Sequence, residues 1–79
     1  MDHSILTKFI RLMTIFYNDV PMTLPNNYMT LADLAQLKQV PPQGSAIALN
    51  DKLIKRDAWS VTPLNENDRV TVISAAFGG

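Results

Sequence analysis

From Met13 onward the apolar positions fall into short runs whose period changes from one to the next, and each change marks an element. Thr14-Ile15-Phe16-Tyr17 is β-branched and aromatic, which suits a pleated strand. Asn18-Asp19-Val20-Pro21 is turn chemistry, because Asn and Asp tolerate left-handed backbone and proline presets its own φ. Met22-Thr23-Leu24 alternates again and completes a hairpin, which Pro25-Asn26-Asn27 ends. Thr30 then opens a helix. Its hydroxyl is placed to accept from the amide three residues on while Asp33 reaches back, a capping box with Asp in the usual Glu position. Leu31, Leu34, Ala35 and Lys38 recur at helical spacing with Leu37 beside them. The helix is expected to reach about Gln39 and to stop ahead of Pro41-Pro42.

The second half is read in the same way. Ser45 to Leu49 is a buried strand, Asn50-Asp51 a turn, Lys52-Leu53-Ile54 a short strand and Asp57-Ala58-Trp59 a single helical turn. Ser60 to Asp68 reads as a polar loop, and Arg69-Val70-Thr71-Val72-Ile73-Ser74 alternates as a last strand. Ala75-Ala76-Phe77-Gly78-Gly79 is a flexible tail. The first twelve residues stand apart. Ile5, Phe9 and Leu12 lie at i, i+4 and i+7, with Lys8 and Arg11 off that stripe, which is too little to hold a helix alone in water. The expected organisation is an N-terminal extension over 1–12, a folded body over 13–74 and a tail over 75–79.

The order strand, strand, helix, strand, short strand, strand predicts an α+β fold. A hairpin is followed by a helical crossover, normally right-handed, and one helix packs on one face of a mixed sheet. Leu31 and Leu34 should face Ile15, Tyr17, Leu24, Ile47, Val70 and Val72 across the core. This is the β-grasp, or ubiquitin-like, arrangement.

Composition narrows the chemistry. Seven basic and seven acidic side chains give no basic face for phosphate, so nucleic acid is not an expected partner. No apolar run is long enough to cross a bilayer, and Ile5 to Leu12, broken by Lys8 and Arg11, is no secretory h-region, so a cytoplasmic location is expected. The chain has no cysteine, which excludes a disulfide scaffold, a Cys-ligated zinc and a Cys nucleophile. Its one histidine, His3, is no metal site by itself. No acid–base pair, nucleophile constellation or phosphate-binding loop is present, so no side chain is assigned catalysis, no metal or cofactor is expected on the chain itself, and the chain is not expected to be an enzyme.

Several elements, in order, resemble the ThiS family of thiamine-biosynthesis sulfur carriers. They are Asn18-Asp19 after the first strand and Thr30-Leu31-x-x-Leu34 opening the helix. They continue with Ala48-Leu49-Asn50 followed by Arg56-Asp57-Ala58-Trp59, and with Leu64-x-x-x-Asp68-Arg69-Val70 leading to terminal Gly78-Gly79. The resemblance covers Met13 to Gly79. Asn67 stands where the family usually has glycine, so it should take positive φ. Lys55 replaces a common proline, and the twelve leading residues have no family counterpart.

The resemblance implies that the chain works through the carboxylate of Gly79. An E1-like (ThiF-type) adenylyltransferase would adenylate it with ATP and Mg²⁺, and sulfur from a persulfide donor such as a cysteine desulfurase would convert it to a thiocarboxylate. The sulfur would pass to a ThiG-type thiazole synthase, making the chain a cosubstrate. The lack of cysteine fits, since no side-chain thiol could hold the sulfur. Gly78, Phe77 and Ala76 would thread into the partner, because glycines fit a narrow channel and adopt unusual backbone angles. By strand parity Phe16 and Ile73 are expected to form an exposed apolar partner patch near the root of the tail, with Phe77 as an anchor. Cover of that patch by the N-terminal segment is an equal alternative. Trp59 is read as packing, Met22 and Met29 as gap-filling, and Arg56, Asp57 and Asp68 as surface charge or turn residues. Three other readings share these signals: a molybdopterin-synthase small subunit, a ubiquitin-like modifier of lysines, and a β-grasp interaction module with an inert tail.

Overall fold

The computed structural model describes residues 12–25, 29–41 and 43–74. Its strands are β1 (Leu12–Tyr17), β2 (Val20–Pro25), β3 (Ser45–Leu49), β4 (Lys52–Ile54) and β5 (Arg69–Ser74). They form one sheet in the order β2-β1-β5-β3-β4. β1 pairs antiparallel with β2 and parallel with β5, and β3 pairs antiparallel with both β5 and β4. Helix α1 (Leu31–Leu37) makes the crossover from β2 to β3, and a 3₁₀ helix (Arg56–Val61) leads toward β5. Among the described residues this is the mixed sheet with one α-helix on one face that the pattern predicts.

The two hairpins use the same device. Asn18 and Asp19 have φ of 50° and 68°, and Asn50 and Asp51 have 52° and 71°. Tyr17 pairs with Val20 and Leu49 with Lys52, so each loop is two residues long. Positive φ at both central residues is the turn whose twist matches that of the flanking strands. The first turn is therefore shorter than the expected Asn18 to Pro21, and Val20 and Pro21 belong to β2. A proline is tolerated there because β2 is an edge strand, and Pro21 and Pro25 deprive that edge of two amide donors. β1 likewise begins one residue before the expected Met13.

Thr30 caps α1 as predicted. The Asp33 amide donates to Thr30 Oγ1 at 3.2 Å, and the Thr30 amide donates to Asp33 Oδ2 at 3.0 Å. The helix stops at Leu37, two residues short of the expected Gln39. Gln39 turns left-handed with φ of 56°. Its amide donates to Gln36 O at 3.1 Å, and the Val40 amide donates to Ala35 O at 2.8 Å. These paired bonds close the helix before Pro41 is reached.

The core lies between α1 and the inner face of the sheet. Met13, Ile15, Leu24, Ile47 and Val70 meet Leu31, Leu34 and Ala35, with Trp59 and Leu64 closing one side. Burying one such side chain contributes about 1.5–3 kcal/mol. Tyr17 and Val72 are half-buried rather than central, and Met22 and Met29 fill in against the cluster. The helical turn at Trp59 extends over Arg56–Val61, taking in Ser60 and Val61, which were expected in the loop. The Trp59 indole N–H donates to Ile54 O at 3.0 Å, so this Trp is a packing residue. The loop that follows is not wholly polar. Leu64 is buried, and its amide bonds Met29 O while Leu31 bonds Thr62 O, which straps the loop to the start of α1.

Candidate functional site at the root of the tail

The strand that delivers the tail is held on both flanks. β5 lies in the middle of the sheet, between β1 and β3. The Phe16 and Asn18 amides donate to Asp68 O and Val70 O, both at 2.8 Å. β1 ends at Tyr17, and beyond it the Asn18 side chain takes over, its Oδ1 accepting from the Val72 amide at 2.8 Å. On the other flank the Asn50 amide donates to Arg69 O and Asn50 Oδ1 accepts from the Arg69 amide, both at 2.8 Å. The two hairpin-turn asparagines thus grip β5 from opposite sides. An exposed ion pair of Arg69 with Asp51 adds little beside these bonds.

Asp68 locks the entry to β5. Its Oδ1 accepts from Asn50 Nδ2 at 3.0 Å and its Oδ2 from the Asn65 amide at 2.7 Å. It is a turn residue, as expected, yet it is buried, since its carboxylate ties the 65–68 turn to the second hairpin. Asn67 takes φ of 67°, the left-handed position anticipated for it, and its amide donates to Thr14 O at 2.7 Å. Glu66 Oε1 accepts from the Thr14 amide at 3.2 Å. These two bonds continue the β1–β5 contact where the strands no longer pair.

At the far end, Ser74 pairs with Ser45. Ala76, Phe77, Gly78 and Gly79, the expected threading and reactive residues, lie outside the described residues, as does most of the extension over 1–12. Phe16 and Ile73 are described, and both point to the outer face, away from α1. Phe16, however, sits opposite Arg69, the first residue of β5, four residues before Ile73. At about 3.3 Å per residue that is a separation of about 13 Å, so the two do not form one patch beside the tail. Phe16 is half-buried, whereas Ile73 is 62% exposed. The neighbours of Ile73 come from the other flank: Ala46 pairs with it, and Ala48 and the 67% exposed Leu53 lie in the adjoining row. The alternation of Lys52-Leu53-Ile54 carried that signal, because Ile54 facing the core turns Leu53 outward.

Among the described residues no group of three or more His, Asp or Glu side chains is placed to hold a metal. None of their helices is long and apolar enough to cross a membrane. Burial pushes the Tyr17 hydroxyl above the ordinary tyrosine range, and the Lys38 ammonium lies 4.8 Å from the centre of its ring.

The comparisons with known proteins agree with this geometry. No curated protein matches the chain. Among solved structures, the thiamine biosynthesis protein (ThiS) from Geobacter metallireducens superimposes with a TM-score of 0.71 at 22% identity, over 85% of this chain and 100% of that one. At that identity the likeness speaks for the fold. The model of the ThiS family matches residues 15–79, from β1 through Gly78-Gly79. The chain therefore belongs to the ThiS family of small sulfur-carrier proteins.

Proposed function

We propose that this protein carries sulfur for thiamine biosynthesis as a thiocarboxylate on Gly79, serving partner enzymes as a cosubstrate in the cytoplasm. The observation that carries the reading is the family match through the Gly-Gly tail, joined to a central strand gripped on both flanks. Such a body presents a short reactive segment from a fixed root. A carboxylate is a poor electrophile and must first be activated. In an E1-like partner of the ThiF type, holding ATP and Mg²⁺, a Gly79 carboxylate oxygen attacks the α-phosphorus and pyrophosphate leaves. A persulfide sulfur then attacks the acyl carbon and AMP leaves. A thiol cleaves the resulting S–S bond, taking the donor sulfur as a disulfide and leaving the thiocarboxylate on Gly79. A thiazole synthase of the ThiG type accepts that sulfur. Ala76, Phe77 and Gly78 thread the partner's channel, where the glycine spares the space a side chain would fill. Ile73, with Ala46 and Leu53 around it, supplies an apolar contact beside the root, and Phe16 lies further back on the same face.

Reconstitution with a ThiF-type enzyme tests the reading. ATP-dependent release of pyrophosphate should require the intact tail and stop when Gly79 is removed. Turnover that is indifferent to Gly79 would contradict it.

A further inference from the structure

A cleft of about 450 Å³ opens between the β1–β2 turn and the C-terminal end of α1, lined by Tyr17, Asn18, Val20, Pro21, Met22 and Lys38. Its walls are apolar or aromatic save for one amide and one cation. The amide is committed, since Asn18 Oδ1 accepts from Val72. The cation lies over the Tyr17 ring, and no carboxylate among the described residues pairs with it. Val20, on the rim, is 62% exposed. An apolar recess with a cation at its edge fits an aromatic side chain followed closely by an anion.

The cleft also lies beside the root of the tail, because its wall residue Asn18 is bonded to Val72, two residues before β5 ends. From Ser74, three extended residues reach about 10 Å to Phe77, and five reach about 17 Å to Gly79. The tail Ala75-Ala76-Phe77-Gly78-Gly79 offers one aromatic ring and, as its only charge, the carboxylate of its last residue.

We infer that this cleft is the resting dock of the chain's own tail, with Phe77 against Tyr17, Val20 and Met22 and the Gly79 carboxylate toward the Lys38 ammonium. Docking keeps the carboxylate from casual contacts and gives the tail a defined starting position. An exposed ion pair and a single ring contact make a weak latch, which a partner's channel can open by competing for the same residues. The inference deepens the reading of the tail as the reactive group and rests on that reading only for its consequence.

The test is amide NMR on the isolated full chain, without ATP or partner, against the chain lacking residues 77–79. Removal of the tail should shift the resonances of Val20, Met22 and Lys38 and leave Ala48 and Leu53, on the outer face, in place. Phe77→Ala should give the same pattern at smaller amplitude, and Lys38→Glu in the full chain should move Val20 and Met22 toward their truncated positions. Cleft resonances that do not respond to truncation would overturn the inference. So would cleft resonances that move only when a ThiF-type enzyme is added, which would assign the cleft to the partner. Since nothing in this experiment loads sulfur, its outcome is separate from that of the carrier reading.

Discussion

The side-chain oxygen of Asn18 accepts a hydrogen bond from the backbone amide of Val72 at 2.8 Å, joining the first hairpin turn to the strand that carries the tail. The residue does two things at once, since its φ of 50° also builds the turn. The two contributions separate by mutation. Asn18→Gly keeps the left-handed backbone and loses the acceptor, which should cost about 0.5–1.5 kcal/mol for the lost, solvent-exposed hydrogen bond. Asn18→Ala loses the acceptor and adds a left-handed penalty of about 1–2 kcal/mol. Urea midpoints should fall in the order wild type, Gly, Ala.

Asp68 makes the matching prediction on the other flank. Asp68→Ala strands Asn50 Nδ2 and the Asn65 amide near the start of β5 and should destabilise by about 1–3 kcal/mol. Asp68→Asn keeps one acceptor oxygen and should fall between. Urea denaturation of the three proteins measures the order.

How far the sequence disclosed this arrangement depended on whether the signal was local. The Thr30–Asp33 cap and the bounds of β3, β4 and β5 were legible, because each rests on a few neighbouring residues, whereas the positive φ at Asn67 came from the glycine that the resembled family carries there. Non-local consequences were not legible. The burial of Asp68 depends on Asn50, eighteen residues away, and only the pairing of β3 with β5 brings the two together. The place of Phe16 was misjudged for a similar reason. Strand parity gave its face, but its distance from Ile73 needed the register of β1 against β5. Leu64 was picked out by the family motif, but its burial was not legible from the pattern, since one apolar residue in a polar loop carries no period.

Gln39 shows where the fold leaves stability unused. It holds the left-handed position that closes α1, with φ of 56°. Glycine takes this position without the penalty, so Gln39→Gly should stabilise the protein by about 1 kcal/mol. For a domain of this size that corresponds to a rise in Tm of about 4–8 °C, read by calorimetry.

Ile73 separates stability from recognition. It is exposed on the outer face, so Ile73→Asp leaves the core intact and should cost only about 1 kcal/mol, the strand-propensity difference. The same change should weaken capture by a ThiF-type enzyme several-fold, measured by titration calorimetry.

The central claim concerns one atom of one residue, and intact-mass spectrometry reads it directly. The full chain is incubated with a ThiF-type enzyme, ATP, Mg²⁺ and a persulfide donor, beside a chain lacking Gly79. The account predicts a gain equal to the exchange of one oxygen for sulfur, localised to Gly79 and absent from the truncated chain. An unchanged mass, with the activating enzyme shown to be active on another carrier, would contradict it.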